Sequence, residues 1–363
     1  MPVNGANYGW TAALAPPSIS RPLSFIAGMD NIMSALASIA SFAWALSSSI
    51  CTIIGLFIGW VPTNPIIFAV AIATCAVWLF TASIRMDKAS FVFIASATLV
   101  LVSSVCFVIG PPVAQKTQGI PFTSAATVFG DYTNYSDWDM HVYVPFTFLC
   151  PMGHYCDYAA FTLLTERWGL KTAGAFLLII FLITSIGGTT VLVTMSCPTA
   201  AFARDRRMLF NDKLSYVSPR CNMPIYTTMF LTVGGMLMLC LGVSPIASET
   251  IYSLAVMVLY ALPMIFRAFD NRRWVLGPWN MGRLSKPVHV VGFMTVIYMT
   301  IMELFPPQAE WTRATLNFNW AVFLCAVLLS ALLWLSHGSR HYKGVNQELL
   351  RAWREREHDR GLN

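Results

Sequence analysis

Polar residues fall in short clusters along this chain, and the stretches between them are apolar over about 20 residues, the length a helix needs to cross the hydrocarbon core of a bilayer. Such runs lie at roughly 23–47, 65–84, 90–110, 173–198, 225–243, 249–268, 287–305 and 318–336. They predict eight membrane-spanning helices. Residues 1–22 form a cytoplasmic N-terminal segment in this reading, because they lack the apolar stretch of a secretory signal peptide. Residues 337–363 form a basic cytoplasmic tail. The first run stays apolar as far as Trp60, which predicts a long, tilted helix. A ninth stretch, 142–164, is also apolar, but Pro145, Pro151, Gly153, His154 and Asp157 interrupt it.

Composition narrows the class further. Hydrophobic residues make up 56% of the 363 positions and charged residues 11%, against about 25% charged in an average soluble protein. That leaves too little polar surface to cover a water-soluble globule, and it is the reverse of the disordered pattern. The net charge of +6 comes from basic residues dispersed between apolar runs, not gathered on one face as nucleic-acid binding requires. The nine cysteines are odd in number and lack any C-x-x-C pair, so neither a disulfide framework nor a zinc site is expected. They read as small apolar residues.

Basic residues concentrate in short cytoplasmic loops, and this decides what the interrupted stretch does. With eight crossings and an inside N-terminus, 19 of the 23 Lys and Arg residues face the cytoplasm; if 142–164 also crosses, only 6 do. Eight crossings are therefore expected, with 142–164 as a re-entrant or broken helix. The loop from Pro111 to His141 then lies outside, where Asn134, in the one N-x-[ST] triplet of the chain, is a candidate glycan acceptor.

No catalytic residues are expected, because H-E-x-x-H, G-x-S-x-G and phosphate-loop signatures are absent and the six histidines are isolated from one another. No cofactor or metal is expected either. Two stretches carry candidate binding residues. In the first, Pro151, Gly153, His154 and Asp157 set polar groups beside interrupted backbone, which is tolerated at membrane depth only where protein or a water-filled cavity satisfies it. A proline kink at the outer interface would look the same in sequence. In the second, Ser185, Gly187, Gly188 and Thr189, with Thr184 and Thr190, sit in the middle of span 173–198. Small and hydroxyl residues there serve either close helix packing or a polar path. Asp30, Glu249 and Glu303 lie near span ends and read as interfacial.

Several stretches resemble a known family. Residues 5–17 (GANYGWTAALAPP), followed by 21–28 (RPLSFIAG), are similar to the approach to the third helix of fungal amino acid and choline permeases, the GABA-permease-like branch of the amino acid, polyamine and organocation superfamily. Ala201 to Asp205 resembles the basic loop after that family's eighth helix. Ser218 to Arg220 with Pro224 resembles the approach to its ninth, Gly277 to Arg283 the loop before its eleventh, and Tyr342 to Gly344 the segment after its twelfth. The motifs keep the family order and cover nearly the whole chain.

The resemblance implies an all-α, polytopic membrane helix bundle of the broken-helix, inverted-repeat transporter type. It also implies that the bundle is incomplete: the first two helices have no counterpart, the stretch from Asp157 to Ala173 is too short for a seventh helix, and only Pro151, Asp157 and Glu166 resemble the sixth-helix pattern. The implied function is secondary transport of an amino acid, choline or a related small amine, with a coupling proton as a further partner besides the lipid bilayer. The plasma membrane is the implied location. The competing reading is a non-transporting remnant or a regulatory partner of full-length permeases.

Overall fold

A computed structural model describes residues 6–84, 90–130, 139, 159–205, 208, 210–240, 254–269, 281–304, 310, 319–342 and 344. Every regular element among them is helical; the one β-type pairing is an isolated bridge between Ser218 and Met223. Five of the described helices are long and apolar enough to cross a membrane. The protein is an all-α, polytopic membrane bundle.

The axis of the bundle is α2, Pro17–Ile58, a helix of 42 residues preceded by the short α1, Ala6–Leu14. Proline in its first turn sacrifices no hydrogen bond, because those N–H groups have no intrahelical partner anyway. Its far end is closed by Gly59 at φ 74°, whose N–H returns to the Gly55 carbonyl, the left-handed cap that glycine adopts without a β-carbon clash. At about 1.5 Å per residue, α2 is roughly 60 Å long, twice the hydrocarbon thickness. The long helix expected from the run that stays apolar to Trp60 is present, and it starts at Pro17, ahead of that run.

Around α2 pack α3 (Asn64–Ala82), α7 (Leu170–Arg204), α9 (Ile225–Leu239) and α10 (Leu254–Phe269). Small side chains permit the close approach. Ala27, Ala35, Ala40 and Ala43 of α2 are fully buried. Gly234 and Gly235 of α9 sit where any β-carbon would press on Leu36 and Ile39. Helix association in lipid draws on such packing, because the surrounding lipid tails are as apolar as the side chains themselves.

Outside this group, α4 (Ser90–Thr117) touches α7 and the ten-residue α6 (Ala159–Trp168). Most of its surface is apolar and open, with Leu101 and Val108 about 70% exposed, the surface a lipid-facing helix presents. α5 is the six-residue Ala125–Gly130, and α8 the single turn Asn211–Leu214. Gly169 at φ 76° turns α6 directly into α7. α11 (Ser285–Leu304) lies against α10, and α12 (Asn319–Leu333) runs into a π-helical turn, Trp334–Gly338, and the short α13, Ser339–His341.

Seven cysteines among the described residues are free. Cys51 and Cys75 are buried inside the bundle, and Cys106, Cys197, Cys240 and Cys325 are exposed along or beside apolar helices.

Candidate functional site

The middle of α7 carries the described part of the polar sequence pattern, and it meets α3 there. Two adjacent glycines have opposite surroundings. A β-carbon on Gly188 would collide with Cζ2, Cε2 and Cη2 of Trp78, whereas one on Gly187 would meet no heavy atom within 4 Å. The edge of the indole that bears its nitrogen is thus pressed onto the backbone of α7 at Gly188. One position further, Thr189 is buried and its hydroxyl lies 3.0 Å from that of Thr81 on α3.

Either hydroxyl can donate in this bond. The Thr81 hydroxyl also has the carbonyls of Val77 and Trp78 within reach, at 3.0 and 3.1 Å. Each hydroxyl carries a single proton, so these are alternative acceptors for it. The backbone acceptor for Thr189, the Ser185 carbonyl, is more distant at 3.5 Å. Thr184 and Thr190 return their hydroxyls to the carbonyls of Ile180 and Ile186, the local bond by which hydroxyl side chains satisfy themselves inside helices. Trp78 Nε1, by contrast, is buried and has no hydrogen-bond partner among the described residues. An unpaired donor at this depth costs about 1–3 kcal/mol.

Ser185 is half-buried and contributes its carbonyl to this contact, and Gly187 leaves open space beside it. The structure therefore brings Gly188 and Thr189 against α3, with Ser185 one turn away. Pro151, Gly153, His154, Asp157 and Asn134 lie outside the described residues. Sequence reasoning misses Trp78 and Thr81. Their only signal is a large aromatic and a hydroxyl on one face of an otherwise small and aliphatic run.

Asp30, read from the sequence as interfacial, falls on α2. It lies well inside α2, half-buried between buried Met29 and Asn31, and makes no hydrogen bond among the described residues. Among the described residues no three His, Cys, Asp or Glu side chains lie close enough to hold a metal ion.

A bundle of apolar helices with glycine seats and inward hydroxyl pairs is the architecture of a membrane protein, and comparison with known proteins narrows it further. No family model matches the chain. The GABA-specific permease of Saccharomyces cerevisiae is 21% identical over 417 aligned positions, covering 95% of this chain and 72% of that permease. An uncharacterized amino-acid permease of Schizosaccharomyces pombe is 24% identical over 48% of this chain and 34% of its own length. A putative polyamine transporter of Candida albicans is 26% identical over 42% of this chain and 29% of its own. The chain thus spans about a third or less of the latter two relatives. It is a multi-pass membrane protein whose homologues are amino-acid and polyamine permeases.

Proposed function

We propose that this chain is a secondary transporter of an amino acid or a related small amine, with GABA, polyamines and choline as the classes to test, working by alternating access in the plasma membrane. The observation that carries the reading is the similarity to a GABA-specific permease along 95% of the chain. In this reading Ser185, Gly187, Gly188 and Thr189 line or brace the substrate path from α7. Pro151, Gly153, His154 and Asp157 supply a broken backbone of the kind whose helix ends meet a charged ligand. Asn134 carries a glycan on the outer face.

A coupling proton needs a carboxylate held inside the membrane, where its charge is costly, and Asp30 fits that requirement by its place in α2 and its lack of a hydrogen-bonded partner among the described residues. Asp30→Asn removes the titrating group while keeping shape. It is expected to abolish the dependence of uptake on an imposed proton gradient while leaving facilitated exchange of substrate measurable.

A second reading, a membrane protein that transports poorly or regulates full-length permeases, is favoured by one fact. The alignment runs over 417 positions, more than the 363 residues of the chain, so the relative contains internal stretches that have no counterpart here. Where a substrate site loses contacts, each unpaired buried polar group costs about 1–3 kcal/mol, and every 1.4 kcal/mol is about tenfold in affinity. Reconstitution in liposomes with a proton gradient separates the two. Saturable uptake of labelled GABA, amino acids, polyamines or choline at micromolar concentration supports the transporter, and its absence from properly folded protein supports the second reading.

A further inference from the structure

Four segments distant in sequence meet at the end of the bundle that carries Arg21, Arg204 and Arg340. Phe25 of α2 is buried with its ring centroid 5.8 Å from that of Phe202 at the foot of α7, 5.4 Å from Trp334 at the end of α12 and 6.1 Å from Tyr342. Phe202 also meets Tyr8 of α1 edge to face at 5.3 Å. Trp334 and Tyr342 close the ring of contacts at 6.4 Å.

Polar bonds lock the same point. The Tyr342 hydroxyl and Ser24 Oγ are 2.6 Å apart, both residues fully buried. Arg21 Nη2 donates to the carbonyl of Tyr342 at 2.6 Å and to that of Ser339 at 3.3 Å. These are charge-assisted bonds to carbonyls at the end of a helix, where a cation is favoured. Glycines let the parts close up. A β-carbon at Gly28 would overlap the Phe202 ring, and one at Gly338 would come within 2.9 Å of Phe25.

Helix packing alone needs none of this. The π-helical turn Trp334–Gly338 departs from α geometry just where the chain folds back to deliver Tyr342, and the Tyr342 N–H is tied to the Gly338 carbonyl at 2.9 Å. Such turns often mark functional points in helices. We propose that Arg21, Ser24, Phe25 and Tyr342 form a clamp by which the position of the chain's C-terminal tail is transmitted through Phe25 and Phe202 to the foot of α7 and to α1. Displacing Tyr342 from this seat would then loosen α7, whereas Tyr342 in place holds it. The proposal rests on a contiguous train of packed rings, one route by which coupling can travel, and it does not depend on what the protein transports.

Amide hydrogen exchange read by mass spectrometry on the full chain in detergent tests it. In the parent chain, amides at 338–342 and at 199–203 are expected to exchange slowly. Tyr342→Ala is expected to speed exchange about tenfold at 338–342 and at least about threefold at 199–203, with α3 unchanged. Tyr342→Phe keeps the ring and loses the Ser24 bond, so it is expected to speed only 338–342. Unchanged exchange at 199–203 in Tyr342→Ala overturns the transmission. Should that variant also loosen α3, folding itself has been damaged, and Arg21→Ala, whose side chain is exposed, replaces it. That variant must speed both segments, and unchanged exchange in either overturns the proposal.

Discussion

Positions 188 and 202 of α7 are both places where an aromatic ring meets a glycine across a helix pair, but the two are built in opposite senses. At Gly188 the glycine is on α7 and Trp78 arrives alone from α3, with an N–H unpaired among the described residues. At Phe202 the ring is on α7, the glycine is Gly28 of α2, and two further aromatics, Tyr8 and Phe25, hold the ring from either side. The middle of α7 thus depends on one ring and one hydroxyl pair, and its foot on an interlocked cluster. The foot is held by more rings than the middle.

The most direct way to break this comparison is to empty the foot. Phe202→Ala removes a fully buried ring from contact with Tyr8, Phe25 and Gly28. A loss of about 3–5 kcal/mol is expected, read as a large fall in the thermal unfolding midpoint of the detergent-purified protein. A fall no larger than that of a lipid-facing substitution such as Leu101→Ala would show that the foot is no anchor.

Next in size is the pair of glycines. Alanine is the better helix former by about 1 kcal/mol, so Gly187→Ala, with open space around it, is expected to stabilise slightly. Gly188→Ala places a methyl group into the Trp78 ring and is expected to cost about 1–3 kcal/mol. Equal midpoints for the two variants would mean that Trp78 does not rest on α7.

How far these features can be read from sequence differs between the fold and the site. Uninterrupted apolar runs such as 65–84 announce membrane helices because no soluble fold leaves so much apolar surface uncovered, and the all-helical bundle follows from the need to satisfy every backbone group internally. The run that stays apolar to Trp60 announces a long α2, but where that helix starts is not legible. Ser18, Ser20 and Arg21 are compatible with helix without being apolar, so hydropathy stops short of the start at Pro17. The hydroxyl and glycine cluster at 184–190 is visible, with packing and polar path as alternatives. What packs on it is not, because Trp78 lies far off in sequence, on another helix, and nothing in a single chain links the two positions. The same holds for Ser24 and Tyr342, each an ordinary residue until the fold brings them together.

A smaller effect separates an orphan donor from an occupied one. Trp78→Phe deletes the buried N–H, which removes a penalty of about 1–3 kcal/mol, and also removes part of a packed ring, a loss of similar size. The two are expected to offset, leaving a net change in stability under about 1 kcal/mol. A net loss of about 2 kcal/mol or more, the size expected when a satisfied buried hydrogen bond is removed, would show that a water or a ligand oxygen pairs with Nε1 in the membrane. Trp78 would then be a binding residue and not a packing one.

The least of the expected effects concerns the bond between Thr81 and Thr189, and it asks whether the middle of α7 is held at all. Both hydroxyls lie within the bilayer helices, but their bond replaces few others: Thr81 is already paired with backbone, and Thr189 retains the Ser185 carbonyl as a second choice. Interhelical bonds of this kind average about 0.6 kcal/mol in membrane proteins, because the separated helices also find partners. A double-mutant cycle with Thr81→Val and Thr189→Val keeps shape while removing each hydroxyl in turn. A coupling of about 0.5–1 kcal/mol is expected. Coupling near zero would mean that only Trp78 seats the two helices, so that α3 and α7 can slide past each other without breaking a polar bond. Coupling above about 1.5 kcal/mol, near the upper end for such bonds, would show the middle of α7 pinned by a strong polar bond and remove the contrast with its foot.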